Sequence, residues 1–96
     1  MQETTRPPLI EKESICNLMF PKNEVLTDEQ AKTNRKITLE NAMKLGNNYR
    51  GKAVITFEDS EKVKQIETTI WGLTEEWVIL KRGMVIPISR VHEVRF

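Results

Sequence analysis

Apolar and polar positions divide the chain into a β-rich second half and a first half of different character. From Lys52 to Phe96, short apolar runs rich in β-branched and aromatic residues alternate with polar or glycine-containing stretches, a pattern typical of consecutive short strands. In one of these runs Ile66, Thr68 and Ile70 recur at period two and therefore share a face. The predicted strands cover residues 52–57, 63–71, 77–81, 84–88 and 91–96.

Two residues in this half constrain how the strands connect. Gly83 lies between two apolar runs and can supply the positive φ of a tight turn. Pro87 has no N–H for a ladder, which predicts that its strand lies at a sheet edge or is bulged there. Together the pattern favours a mainly β (α+β) fold: a five-stranded, strongly bent antiparallel sheet or a small SH3-like barrel over about 52–96, preceded by one long helix and an apolar N-terminal arm.

A helix is predicted over about 27–45. Thr27 can cap it, Gln30 completes a capping box, and Gly46 is the expected stop. An alternative start at Thr38, with a break near Thr33–Asn34, would give two helices, and we prefer one. The side facing the sheet is expected to carry Ala31, Thr38, Leu39, Ala42, Met43 and Leu45. The side facing solvent is expected to carry Lys32, Arg35, Lys36 and Glu40.

Residues 1–26 form the N-terminal arm, and residues 27–96 are predicted to be a single domain. The tail 1–8 contains Pro7-Pro8 and is expected to be loose and partly disordered. An apolar cluster before Pro21 follows it. This cluster either packs on the sheet, as a short helix or an extended strap, or is a partner-binding peptide that orders on contact. Packing is preferred because exposure forgoes about 1.5–3 kcal/mol per large side chain.

Two resemblances bear on the fold. The segment 85–94, VIPISRVHEV, resembles the end of Sm-like and SH3-like barrels, in which an apolar strand meets one tight helical turn and a last strand. More widely, LGNNYRGK at 45–52, ETTIW at 67–71 and IPI at 86–88 resemble a group of short uncharacterised bacterial proteins with one helix before a small barrel. That resemblance implies a fold and carries no activity or site residues.

Composition and charge narrow the function classes. The 96 residues fit one domain, and 39% hydrophobic with 30% charged residues is ordinary for a globular protein. With 15 basic and 14 acidic residues the net charge is +1, so strong electrostatic capture of nucleic acid or a membrane surface is not expected. No apolar run reaches the roughly 18 residues of a spanning helix. A single cysteine and the lack of a signal-like segment predict a cytoplasmic protein without a membrane partner.

Catalytic and metal chemistry is not indicated. Cys16 and His92 are far apart in sequence, and we interpret them as a small buried thiol and a strand histidine. They fall short of the four ligands of a zinc site, and the four dispersed glycines form no phosphate-binding loop. The carboxylate pairs Glu58-Asp59 and Glu75-Glu76 fall in predicted loops, where acids are usually solvated. We therefore expect no enzyme activity, no cofactor and no metal.

Binding is the favoured function class, and the first hypothesis is a protein-interaction module. The arm is more apolar than one helix and a small sheet require, and an uncovered apolar patch usually marks a partner protein or a second copy of the chain. The candidate partner-binding residues are Ile15, Leu18, Met19 and Phe20.

The alternative is an Sm-like protein that binds single-stranded nucleic acid, since bases stack on aromatic rings and phosphates meet cations. Trp71 and Trp77 flank one loop, so they also fit a core or lid role, and the Lys81-Arg82 pair also fits a solubilising role at a hairpin tip. The candidate nucleic-acid-binding residues are Tyr49, Arg50, Lys52, Trp77, Lys81, Arg82 and Arg90.

Overall fold

The computed structural model describes residues 7–96, without the side chains of Lys12, Glu13 and Cys16. One long helix precedes six short strands. The helix is α1 (Glu29–Tyr49), and the strands are β1 (Ala53–Glu58), β2 (Val63–Thr68), β3 (Ile70–Leu73), β4 (Trp77–Leu80), β5 (Val85–Pro87) and β6 (Val91–Arg95). Short 3-10 helices cover Lys12–Asn17, Lys81–Gly83 and Ile88–Arg90.

The strands form two antiparallel sheets of three strands each. Sheet A has the order β2-β1-β6, and sheet B has the order β3-β4-β5. The predicted single five-stranded sheet or SH3-like barrel is therefore wrong, and the described part of the chain contains no closed barrel. The predicted strand 63–71 is interrupted at Thr69, so that its first part pairs with β1 and its second part with β4. Strand β5 pairs with β4 in sheet B. The turn Ile88–Arg90 then redirects the chain, so that β6 pairs with β1 in sheet A.

The core lies between the two sheets and α1. Alternation places Ile55 and Phe57 of β1 on the same inward face, and Val78 and Leu80 of β4 do the same in sheet B. All four side chains are fully buried, and Leu39 of α1 closes the core from the helix side. Burial of this set, rather than helix or strand propensity alone, holds the three elements together.

Helix α1 differs from its predicted bounds at both ends. Asp28, not Thr27, is the N-cap, and its carboxylate accepts the N–H of Ala31 at 2.9 Å. The helix is continuous, which confirms the single-helix alternative, and it passes through Gly46 to end at Tyr49, followed by Arg50 as a left-handed C-cap (φ 55°).

Gly46 has a packing role instead of the predicted stop role. A Cβ at this position would lie 2.6 Å from the Ile70 carbonyl oxygen and 2.9 Å from Thr69 Cγ2. Only glycine lets the helix approach the start of β3 this closely.

The buried side of α1 also carries a charged residue that was predicted to face solvent. Arg35 is buried together with Leu39, Ala42 and Gly46, so its predicted exposure is wrong. Its guanidinium is neutralised by Glu24, a residue of the arm, which makes the burial tolerable.

The arm packs on the rest of the molecule, as the first alternative predicted. Leu9 forms a parallel bridge with Gln65 on β2: the Ile10 N–H donates to the Gln65 carbonyl at 2.8 Å, and the Gln65 N–H donates to the Pro8 carbonyl at 2.8 Å. Ile15 is 3% exposed and belongs to the core. The predicted loose tail falls mainly on residues 1–6, which lie outside the described residues.

The predictions made for Gly83 and Pro87 agree with the structure. Gly83 has φ 82°, and Arg82 before it is also left-handed at φ 72°. Pro87 lies on β5, an edge strand of sheet B, where its missing N–H costs no ladder hydrogen bond on the open side.

Candidate interaction site

The outer side of sheet B carries a group of exposed apolar side chains. Val78 and Leu80 point into the core, so Trp77 and Ile79 lie on the opposite side of β4. Strand pairing then places Val85 beside Ile79 and Pro87 beside Trp77. We call this surface the apolar face; its members are Trp71, Trp77, Ile79, Val85 and Pro87.

A β-bulge adds Trp71 to the apolar face. The register between β3 and β4 shifts between Ile70 and Gly72, so Trp71 is the extra residue of β3. Ile70 before it points inward and is fully buried, and Trp71 points outward. Gly72 pairs with Ile79 and contributes no side chain, which leaves Ile79 partly open to solvent.

Both tryptophans are too exposed to be core residues. Trp71 is 51% exposed, Trp77 is 41% exposed, and Val85 on the neighbouring strand β5 is also exposed. Contiguous exposed apolar surface is uncommon on monomers and is typical of interaction sites. The suggestion that the tryptophans serve as core is therefore wrong.

The apolar face has oppositely charged ends. Glu75 and Glu76 directly precede β4, Lys81 and Arg82 directly follow it, and all four residues are exposed. We call these pairs the acidic end and the basic end.

Hydrogen bonds donated by backbone N–H groups fix both ends of β4. At the acidic end Thr74 Oγ1 accepts the N–H groups of Glu76 at 3.2 Å and Trp77 at 2.9 Å. At the basic end the Leu80 N–H donates to the Met84 carbonyl at 2.7 Å. The charged pairs therefore stand at defined positions relative to the apolar face.

The predicted nucleic-acid-binding residues are not all in one place. Arg90 is 4% exposed. Its Nε donates to the Glu58 carbonyl at 3.0 Å, and its Nη1 donates to the carbonyl and side-chain oxygens of Asn23 at 2.7 and 3.1 Å. Arg90 thus ties the arm to sheet A. Trp77 lies at the opposite end of β4 from the Lys81-Arg82 pair.

The other five of these residues belong to three segments that meet near Thr69, at the junction of the two sheets. The Gly46 turn of α1 touches Thr69, the Lys81 N–H donates to the Thr69 carbonyl at 2.9 Å, and Ala53 pairs with Thr68. We call this exposed group the basic corner; its members are Tyr49, Arg50, Lys52, Lys81 and Arg82.

The predicted partner-binding residues of the arm are largely covered. Ile15 is in the core, and Leu18 and Phe20 pack partly against it, with the Phe20 ring 6.0 Å from the Phe57 ring. Met19 is 73% exposed. The arm therefore presents one exposed large apolar side chain from this set rather than a patch.

Sequence reasoning missed Trp71, Ile79 and Val85 as members of a surface. The signal was present in the alternation of β4, where Trp77 and Ile79 share one face and Val78 and Leu80 share the other. Because both sets are apolar, the pattern alone does not say which one faces the core.

Two open grooves of about 560 and 570 Å³ flank Arg35, and both also contact Glu75 and Ile88. Glu24 accepts from both terminal nitrogens of Arg35 at 2.7 Å, and Nη1 also donates to the Val91 carbonyl at 2.9 Å. The hydrogen bond from Arg35 lowers the pKa of Glu24 below its ordinary value, against the opposing effect of burial. This guanidinium is committed to joining the arm, α1 and β6.

Among the side chains that the structure describes, no group of three or more His, Cys, Asp or Glu is positioned to hold a metal ion. None of the helices described combines the length and apolar character that crossing a bilayer requires.

Comparison with protein-family models, curated proteins and solved structures finds no match for this chain. The predicted relationship to short bacterial proteins stays a prediction.

Proposed function

We propose that this protein is a non-enzymatic interaction module that binds a protein surface through the apolar face of sheet B. The observation that carries the proposal is the exposure of Trp71, Trp77 and Val85 on one side of a sheet whose other side is core. The predicted cytoplasmic location is part of the same proposal and rests on the single cysteine.

The residue types of the apolar face suit this role. Tryptophan buries about 150–250 Å² when covered and is the side chain most often found as an energetic anchor in interfaces. The charged ends suit orientation of a partner more than affinity, because exposed charges mainly steer association and reject wrong partners.

Site-specific photo-crosslinking tests the proposal. Val85 is replaced by p-benzoylphenylalanine in the cells that encode the protein, and Ile37, which is exposed on α1, is replaced in a matched control. We expect a protein adduct at position 85 and none at 37, and we expect Trp71→Ser/Trp77→Ser to abolish it. Equal labelling at both positions, or none at 85, would refute this use of the face.

The basic corner supports a second candidate function, binding of single-stranded nucleic acid. Four exposed cations and exposed Tyr49 are carried by segments that meet near Thr69, and such a group would combine phosphate contacts with a stacking ring. Arg50→Glu/Lys52→Glu alters this corner without changing the apolar face. We expect it to weaken binding of a labelled random RNA in a salt-dependent anisotropy titration; unchanged affinity would remove this candidate.

A further inference from the structure

We propose that the apolar face binds a second copy of the same chain, packed face to face with its β4 strand antiparallel. This inference rests on the proposed function, since it names the partner of the same surface. It is carried by the distribution of charge around β4.

The first step concerns how charge changes sign along the apolar face. The acidic end precedes β4 and the basic end follows it. Glu76 and Lys81 are five positions apart in the sequence, which corresponds to roughly 17 Å of extended chain. The apolar residues Trp77 and Ile79 lie between the two ends. A partner for this surface must therefore be apolar in its centre, basic where this chain is acidic and acidic where it is basic.

The second step is that the face itself meets this requirement. A two-fold axis that lies in the interface and crosses β4 at a right angle reverses the strand direction. It places the acidic end of each copy opposite the basic end of the other, so two complementary pairings form at once. An axis parallel to β4 would instead set Glu75-Glu76 against Glu75-Glu76 and Lys81-Arg82 against Lys81-Arg82. The charges thus select one of two otherwise similar arrangements.

The third step is the packing of the centre. The same operation keeps β3 over β3 and β5 over β5, so Val85 meets the Val85 region of the other copy. Two sheets that pack in this way bury side chains from both outer faces in one layer, as the sheets of a sandwich do. Trp71 and Trp77, which are half exposed in the single chain, would become covered.

The test is a charge swap followed by sedimentation equilibrium at micromolar concentrations. Glu75→Lys/Glu76→Lys sets two cations opposite two cations at each end of the interface, and Lys81→Glu/Arg82→Glu sets two acids opposite two acids. Each variant alone should dimerise more than tenfold less tightly than the unmodified chain, since like charges opposite each other cost several kcal/mol. An equimolar mixture of the two should form a one-to-one heterodimer, and the fourfold variant should dimerise again.

Matched controls carry the same charge changes on other exposed positions. Glu40→Lys/Glu67→Lys and Lys36→Glu/Lys44→Glu should leave the dimer unchanged, because these residues lie on α1 and sheet A. Far-ultraviolet circular dichroism of every variant checks that it is folded.

The outcomes separate this inference from the proposed function. A monomeric unmodified chain, or a dimer whose affinity is unchanged by the charge swaps and by Trp71→Ser/Trp77→Ser, overturns the proposed dimer through the apolar face. If position 85 then crosslinks to a different protein, the interaction module stands with another partner. If position 85 crosslinks to nothing, both proposals fail.

Discussion

The outer sides of the two sheets differ in chemistry although the sheets are alike in size. On sheet A, most outward residues are polar, and several pair with one another: Gln65 Nε2 donates to Thr56 Oγ1 at 3.2 Å, and His92 Nε2 lies 2.8 Å from Glu58 Oε1. On sheet B the same side carries Trp71, Trp77, Ile79 and Val85. The outer side of sheet A is thus suited to contact with water, whereas the outer side of sheet B exposes apolar side chains. Covering by a partner is therefore favourable only on sheet B.

The two sheets also differ in how the rest of the chain supports them. The described part of the arm, residues 7–26, pairs with the edge of β2 and adds no strand to sheet B. Sheet A also encloses buried ions, since Lys64 pairs with Asp59 and Arg90 binds the arm. The backbone pairing of the arm is therefore with sheet A, whereas Trp71, Trp77 and Val85 on the outer side of sheet B stay exposed.

The largest effect is expected from removing one partner of the buried ion pair in sheet A. In Lys64→Met the Asp59 carboxylate stays buried and loses its cation, which should lower the free energy of unfolding by about 3–5 kcal/mol. Lys62→Met, in the same hairpin but exposed, is the control. Urea unfolding measures both. Equal losses in the two variants would mean that the pair does not support sheet A, whereas Lys64→Met/Asp59→Asn should recover most of the loss.

A somewhat smaller effect is expected in the arm. Ile15→Ala removes a core side chain and should cost about 2–4 kcal/mol, whereas Met19→Ala changes an exposed residue and should stay within about 0.5 kcal/mol. Thermal or urea unfolding distinguishes the two alternatives for the arm. If Ile15→Ala were as mild as Met19→Ala, the arm would be a peptide held for a partner rather than part of the fold.

Local features of the fold could be predicted from sequence, while long-range pairing could not. Period-two alternation located the strand residues, and the φ of Gly83 and the edge position of Pro87 follow from their own covalent structure. The interruption at Thr69 has no local signal, because alternation continues through it and only the partners β1 and β4 divide the run. Gly46 illustrates the same limit: a glycine that ends a helix and one that admits a neighbouring backbone look alike in sequence.

The candidate site was predictable only in part, for a related reason. The expected exposure is found for Tyr49, Arg50 and Lys52, because polar residues at the end of a helix are seldom buried. Arg90 is buried through partners that lie far away in the chain, Glu58 and Asn23. No pattern around a single arginine records such partners.

Acid should weaken the contacts that hold the arm and sheet A. The Arg35 hydrogen bond lowers the pKa of Glu24. For Asp59, burial would raise the pKa, but hydrogen bonds from Lys64 and from the N–H groups of Lys62 and Glu61 outweigh it and lower the pKa overall. Both carboxyls bind protons more weakly when folded, so their contribution is complete above the ordinary values of 4.5 and 3.8 and is lost as pH falls through the lowered ones.

Urea unfolding between neutral and acidic pH measures this loss. Glu24→Gln should reduce stability at neutral pH and flatten the dependence below the ordinary glutamate value, because one of the two titrating groups is gone. A profile for Glu24→Gln parallel to that of the unmodified chain would show that Glu24 is not linked to folding.

The smallest effect on stability per residue is expected on the apolar face. This prediction tests most directly whether the outer side of sheet B serves binding rather than folding. Trp71 and Trp77 point away from the core but are about half buried, so Trp71→Ser/Trp77→Ser should lower the free energy of unfolding of the single chain by only about 1 kcal/mol for each residue. The same variant should lose the adduct at position 85 and any dimer. Unfolding is therefore measured at concentrations low enough to keep the unmodified chain monomeric. Large destabilisation of the monomer would mean that the tryptophans stabilise the fold, and it would argue against sheet B as the binding surface.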